Sequence, residues 1–89
     1  MPNSGHISVQ TNATGTNWTA LEEVRASRIT LSNQTGTTIE VRQDGAGVGL
    51  QIPTGTFFTF FILGLTSQLE VRRVDQSNSQ VTITARWEE

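Results

Sequence analysis

Apolar and polar residues alternate one by one through residues 28–88, and turn-forming residues interrupt the alternation about every ten positions. A period of two places successive side chains on opposite faces of a strand, so that one face is buried and the other is wet. A parallel α/β fold would need crossover helices, and the sequence has no pattern for them. The alternation therefore predicts an all-β chain, a compact antiparallel β-sandwich or small barrel of about six to eight short strands.

Turn signals delimit the predicted strands. They fall at residues 33–36, 44–45, 53–55 and 75–79, where Asn, Asp, Gly and Pro favour chain reversal. The adjacent arginines at 72 and 73 interrupt the alternation, which predicts a β-bulge there. The residues predicted to face the core are Ile29, Leu31, Ile39, Val41, Val48, Leu50, Ile52, Leu69, Val71, Val81, Ile83, Ala85 and Trp87.

The first part of the chain has a different composition. Residues 1–17 are rich in Asn, Ser, Thr and Gly, which predicts a flexible N-terminal arm with one short extended piece over residues 6–10. A single β-sandwich domain then spans residues 18–89. Thr19 and Glu22 have the spacing of a capping box, in which both side chains bond free backbone groups at a helix start. We expect at most one short helix, near residues 20–27, with a plain loop as the alternative.

Composition points to association with other proteins. The chain has 89 residues, of which only 35% are hydrophobic. Ordering a small domain costs roughly 1.5 kcal/mol per residue, and many such domains add disulfides or a metal to stabilise a limited core. This chain has no cysteine and one histidine, His6. Contacts between chains are the remaining source of stability, so we expect a homo-oligomer or docking onto a larger assembly.

Several classes of function are disfavoured. The lack of cysteine excludes thiol catalysis, and the only imidazole base, His6, lies in the predicted arm, so we expect no catalytic residue and no enzyme. The glycine-rich residues 45–49 lack the lysine and the following helix of a phosphate loop, and no acidic run has calcium-loop spacing. We expect no cofactor and no metal. The net charge of −2 and six dispersed arginines also argue against nucleic acid as the partner.

Export and membrane insertion are not expected either. The N-terminus has no cationic region followed by an apolar run, so the sequence predicts no signal peptide. The longest apolar stretch, residues 57–65, is interrupted by Thr59 and Gly64 and is about half the length of a membrane-spanning helix. We therefore expect a soluble protein without a transmembrane segment.

Aromatic residues provide the first candidates for a protein interface. Phe57, Phe58, Phe60 and Phe61 place aromatic groups on both faces of one predicted strand, although a sandwich normally buries only one face. Either the N-terminal segment covers the second face, or another subunit packs against it. Trp18, beside the possible helix start, would lock the arm onto the core or anchor it in a neighbouring subunit.

The arginine pair adds two further candidates. Arg72 and Arg73 could form bidentate pairs with carboxylates of a partner, while pairing with Glu70 or Asp75 of the same chain is the intrachain alternative. The candidate protein-interface residues are therefore Trp18, Phe57, Phe61, Arg72 and Arg73.

Three segments carry a resemblance to a known group of proteins. Residues 31–42 (LSNQTGTTIEVR), 52–55 (IPTG) and 69–75 (LEVRRVD) resemble small structural proteins of tailed bacteriophages. The resemblance implies a compact β-sandwich in the virion, used as a head decoration (cement) protein or as a neck or tail accessory, and it implies no catalytic residue. The leading hypothesis is a decoration protein, made in the host cytoplasm, that docks on the major capsid protein and stabilises the shell. The alternatives are a neck, tail or fibre-base component and a carbohydrate- or receptor-binding module.

Overall fold

The computed structural model describes residues 3–45 and 49–89, without the side chain of Leu63. The described residues form eight strands and one 3-10 turn, Thr66–Gln68, which confirms the all-β prediction. Val48, predicted to face the core, and residues 46–47 of the glycine-rich segment lie outside the described residues. The strands are β1 (Ser4–Gln10), β2 (Thr19–Ala20), β3 (Arg25–Asn33), β4 (Ile39–Gln43), β5 (Leu50–Ile52), β6 (Thr56–Leu65), β7 (Leu69–Arg73) and β8 (Thr82–Glu88).

The strands form two antiparallel sheets of four strands each. Sheet A has the order β1-β8-β3-β6, and sheet B has the order β2-β7-β4-β5. Apart from the step from β4 to β5, every pair of consecutive strands is divided between the two sheets. This connectivity is that of a jelly roll, a β-sandwich of eight strands with two Greek keys. No helix among the described residues is long and apolar enough to cross a membrane.

An aliphatic core lies between the two sheets. The alternation that predicts the strands also predicts the burial: on β3, Ile29 and Leu31 are 0% and 1% exposed, whereas Thr30 between them is only half-buried. The partly buried side chains of Ile7, Phe60, Val81 and Trp87 pack against the core. The buried core residues are Val9, Leu21, Ala26, Ile29, Leu31, Ile39, Val41, Ile52, Ile62, Leu69, Val71, Ile83 and Ala85.

A buried asparagine organises the turn after β3. The Nδ2 of Asn33 donates to the carbonyl oxygens of Thr37 at 2.8 Å and Ile52 at 2.7 Å. Its Oδ1 accepts from the backbone N–H and the hydroxyl of Thr35, at 3.1 and 2.7 Å. Because all these polar atoms are paired, the side chain is buried without an unsatisfied group. Gly36 follows with a φ of 87°, which confirms the predicted turn.

Residues 4–10 of the predicted flexible arm (residues 1–17) form strand β1 of the sandwich, which corrects the arm prediction for this part of the chain. All seven residues of β1 pair in register with β8. The sequence of this segment resembles that of a flexible arm because β1 is an edge strand with one face exposed to solvent. Such a strand needs few apolar residues, and Ile7 and Val9 are its only large ones.

Residues 20–27 contain no helix, so of the two alternatives for this segment the structure has the one without a helix. The backbone of this segment is bonded instead by Thr66, which is fully buried. Its hydroxyl donates to the carbonyl oxygen of Glu22 and accepts the N–H of Val24 at 2.8 Å. Tertiary hydrogen bonds therefore satisfy backbone groups that a helix would pair internally.

The β-bulge also lies elsewhere than predicted. Strand β7 pairs with β4 without a register shift up to Arg73, whereas β3 shifts against β6 between Ala26 and Arg28. Between these two pairs β3 has one residue, Ser27, whereas β6 has two, so the extra residue lies in β6. Arg73 interrupts the alternation without a bulge because it is the last residue of its strand, and its side chain extends to Asp75 in the following turn.

Candidate functional site: the phenylalanine edge

The most exposed apolar surface of the described chain lies on β6, an edge strand of sheet A. On the outer face of the sheet, Phe57 lies opposite Ser32 and Phe61 lies opposite Arg28. Their exposed fractions are 71% and 75%. On the inner face, Phe58 is also 45% exposed. We refer to Phe57, Phe58 and Phe61 as the phenylalanine edge.

The edge position of β6 explains why an inward-facing phenylalanine remains accessible. Phe58 and Phe60 lie opposite the buried residues Leu31 and Ile29, so both point toward the core side of sheet A. Their ring centroids are 4.9 Å apart with the planes tilted by 56°. Phe60 packs against the core, but Phe58 has no further strand beside it and stays half-exposed.

Polar side chains cover the outer face of sheet A beside the phenylalanine edge. The hydroxyls of Thr30 and Thr59 bond each other at 2.8 Å, between the two exposed rings. Arg28 pairs with Glu88 at 2.5 Å, and both side chains are substantially exposed. Because this ion pair is open to solvent, it contributes little to stability.

The single histidine lies on this same outer face, not in an arm. His6 of β1 lies opposite Arg86 of β8. The two residues line a shallow depression of about 230 Å³ together with Thr30, Ser32 and Thr84. A second, larger groove of about 430 Å³ lies at the bulge between β3 and β6 and is lined by Arg25, Ala26, Ser27, Ile62, Gly64 and Glu89. Among residues 3–45 and 49–89, no three His, Asp or Glu side chains are grouped as metal ligands.

Trp18 makes its contacts within the chain, on the outer face of sheet B. Its ring lies 4.5 Å from the guanidinium carbon of Arg42 and 4.4 Å from that of Arg72. Arg42 pairs with Glu70 at 2.8 Å, and Arg72 pairs with Glu40 at 2.5 Å. The two ion pairs hold both cations under the indole, so the segment before β2 is fixed onto the sheet.

Neighbouring contacts leave no space for a larger residue beside the indole. A Cβ at Gly49 would lie 3.1 Å from Cη2 of Trp18 and 3.2 Å from a carboxylate oxygen of Glu40. Arg72 also donates to the carbonyl oxygen of Thr16 at 3.0 Å. Arg72 is therefore bonded to Glu40 and Thr16 of its own chain, and not to Glu70, the intrachain partner that the sequence suggested.

Arg73 is also engaged within the chain, as one of the two alternatives predicted. It forms a bidentate pair with Asp75, with Nε–Oδ1 and Nη2–Oδ2 distances of 2.9 and 2.7 Å. It donates further to the carbonyl oxygen of Ser79 at 3.1 Å. The Arg73 side chain and then the backbone N–H of Ser77 lower the pKa of Asp75 below its usual value of 3.8. This network stabilises the turn between β7 and β8.

The five candidate interface residues do not form one surface. Phe57 and Phe61 lie together on sheet A, while Trp18 and Arg72 lie on the outer face of the opposite sheet. Sequence reasoning did not single out the exposure of Phe58. No local signal could have revealed it, because it depends on the strand order. The assignment of all five residues to an interface stays a prediction.

No protein-family model matches the sequence, and no curated protein is significantly similar to it. The structure is similar to a cupin domain from Bordetella pertussis Tohama I, with a TM-score of 0.61 and 9% identity over 100% of this chain and 92% of that chain. It is also similar to a protein of Bacillus endospore appendages, described as disulfide-linked pili, with a TM-score of 0.57 and 14% identity over 98% and 86% of the two chains.

A third similar structure is the cupin domain of Schizosaccharomyces pombe Cnp3, with a TM-score of 0.56 and 8% identity. The match covers 99% of this chain but only 56% of that one. At identities this low, the comparisons establish the fold alone. The chain has the cupin-like jelly-roll fold, which the strand order also shows.

Proposed function

We propose that the chain is a structural subunit of a phage virion, acting as a decoration protein that docks on the outer shell and stabilises it. The observation that carries the proposal is the phenylalanine edge, whose two outer rings are 71% and 75% exposed. Apolar groups this exposed on a small domain mark surfaces for protein contact. The major capsid protein is the proposed partner in the virion, and many weakly bound copies would together stabilise the shell.

The remaining surfaces of the described chain support a role in which the edge makes the contact. Trp18 and Arg72 are bound to each other and to the chain, and Arg73 is paired with Asp75. The space between the sheets is filled with aliphatic side chains, and His6 is on the outer face. We therefore include in the proposal that the protein is not an enzyme.

A neighbour of the same fold forms pili, and this likeness supports an assembly role by analogy only. Its title describes those pili as disulfide-linked. The present chain has no cysteine, so the assembly role proposed for it would not use disulfides. The phenylalanine edge provides an exposed apolar surface for noncovalent contacts.

The test is to add the purified protein to phage shells assembled without it and to measure the bound copies by quantitative gel densitometry. The test variant is Phe57→Lys/Phe61→Lys. The matched control is Ser4→Lys/Ser8→Lys, which changes two exposed residues with the same spacing on the other edge strand of sheet A. We expect saturable binding by the unchanged protein and by the control, and strongly reduced occupancy by the test variant.

Labelling of the protein in intact virions separates the alternatives. Decoration predicts many copies distributed over the head, whereas a neck, tail or fibre-base component predicts a small ring of copies at one site. Absence of the protein from purified virions and from reconstituted shells would contradict the proposal. Specific binding to a glycan array, with no shell binding, would support the carbohydrate-binding alternative instead.

A further inference from the structure

Strand β6 has the properties of an edge that is open to pairing. Among the described residues its one strand neighbour is β3, so every second residue directs its N–H and C=O away from the sheet. Natural sheet edges are commonly kept short or carry charges or proline, which prevents pairing with other chains. Sheet B follows this rule, because its edge strands β2 and β5 have two and three residues. Strand β6 has ten residues without a charge or a proline.

The sequence of β6 is also self-complementary. Residues 57–61 read Phe-Phe-Thr-Phe-Phe, the same in both directions. We propose that β6 pairs antiparallel with β6 of a second copy, about a two-fold axis at Thr59, and joins two copies of sheet A into one sheet of eight strands. In this register Phe57 faces Phe61 of the second copy on the outer face, and Phe58 faces Phe60 on the inner face. A two-fold interface requires such a self-complementary surface.

Pairing of β6 with β1 of another copy, the other open edge of sheet A, is less favourable. Strand β1 runs antiparallel to β6 within the sheet, so β1 of another copy could also continue it head to tail. Its outward-facing residues are Ser4, His6, Ser8 and Gln10, which would place polar groups opposite the exposed rings. Aromatic pairs across strands are more stabilising than such mixed pairs. The pairing of β6 with itself is therefore favoured over an open-ended chain of copies.

The exposed area sets the expected strength of the dimer. With about 200 Å² for a fully exposed phenylalanine side chain, the phenylalanine edge exposes roughly 400 Å² per copy. Two copies would bury up to about 800 Å² of aromatic surface, and the main chain of the paired strands adds to it, whereas stable complexes bury about 1,200–2,000 Å². The aromatic surface alone falls below this range, so the dimer is reversible and depends on concentration.

Charge-swapped variants test the pairing and its register. Phe57→Lys/Phe61→Lys places lysines opposite lysines in the two-fold pairing, and Phe57→Glu/Phe61→Glu places glutamates opposite glutamates. Both positions are largely exposed, so circular dichroism should show folded protein in each case. Sedimentation velocity should show a reversible dimer of the unchanged protein and a dissociation constant at least about a hundredfold higher for each variant alone. Mixing the two variants should restore a heterodimer.

Three results would overturn the inference: an unchanged protein that is monomeric at high concentration, variants that still dimerise, or a mixture that fails to form the heterodimer. Head-to-tail pairing with β1 would give open-ended polymers without selective rescue and would also overturn it. The inference rests on the proposed role of the phenylalanine edge as an interface and names its occupant: β6 of a second copy covers the edge, and the resulting dimer is the unit that docks on the shell. The two proposals can fail separately. A dimer that does not bind shells contradicts the proposed function alone, whereas a monomer that binds shells through the edge contradicts the dimer alone.

Discussion

Replacing Trp18 with alanine should destabilise the isolated chain. The indole is mostly buried on sheet B and contacts the guanidinium groups of Arg42 and Arg72 at 4.5 and 4.4 Å. A structural role predicts that the cost appears in the free energy of unfolding of the protein alone. An interface role predicts instead that the cost appears only when a partner is present.

The expected size follows from two contributions. Trp18 is mostly buried, so about 130 Å² or more of an indole surface of about 200 Å², at about 25 cal/mol per Å², corresponds to about 3 kcal/mol. Each cation–π contact at a partly exposed site contributes about 0.5–1 kcal/mol. Allowing for the side-chain entropy that is regained, we expect Trp18→Ala to lower the free energy of unfolding by about 3 kcal/mol. For a domain of this size, that corresponds to a melting temperature lower by roughly 10–20 °C.

Urea titration followed by circular dichroism measures this loss, with Trp18→Phe as the matched variant. Phenylalanine keeps an aromatic ring over the two arginines, so it should retain more than half of the lost stability. Gly49→Ala gives an independent check, because its Cβ would approach Cη2 of Trp18 to 3.1 Å and should also destabilise the cluster. An unchanged unfolding midpoint for Trp18→Ala, together with weaker binding to shells, would refute the structural role.

Two further predictions concern other polar networks. Asn33→Leu should lower the free energy of unfolding by about 3 kcal/mol or more, because it leaves two carbonyl oxygens and the Thr35 N–H without their present partner. A loss below about 1 kcal/mol in urea titration would contradict the role of the Asn33 amide. Asp75 has a lowered pKa in the folded state, so its stabilising contribution is complete above its unfolded pKa and is lost as the pH falls through the lower folded value. NMR titration should therefore give Asp75 a pKa below 3.8, and Arg73→Gln should raise it; an unchanged pKa in that variant would exclude the ion pair as the cause.

The strands and most of their buried faces could be predicted from local pattern because burial follows alternation directly. The exception is Leu50, which alternation predicts to face the core but which is 42% exposed on the edge strand β5. Ile39 and Val41 of β4, and Ile83 and Ala85 of β8, are buried where the period of two places them. The turn at Asn33 follows in the same way from residues that favour chain reversal. These features depend on neighbours in sequence, so the sequence was sufficient for them.

The errors all concern contacts between distant parts of the chain. β1 resembles a polar arm because a strand at a sheet edge needs few apolar residues, and its pairing with β8 has no local signal. The capping-box spacing at Thr19 does not lead to a helix, because Thr66, far along the sequence, bonds the backbone of Glu22 and Val24. The exposure of Phe58 likewise depends on the position of β6 at the end of the strand order, which alternation cannot reveal.

Amide hydrogen exchange along the two edges of sheet A tests most directly whether β6 is the surface through which the protein associates. Exchange is measured by NMR at low and high protein concentration, with the outward-directed amides of β1 as the internal reference. If copies associate through β6, outward-directed amides of β6 become protected from exchange as the protein concentration rises, while those of β1 do not change. Equal, concentration-independent exchange at both edges would contradict association through β6.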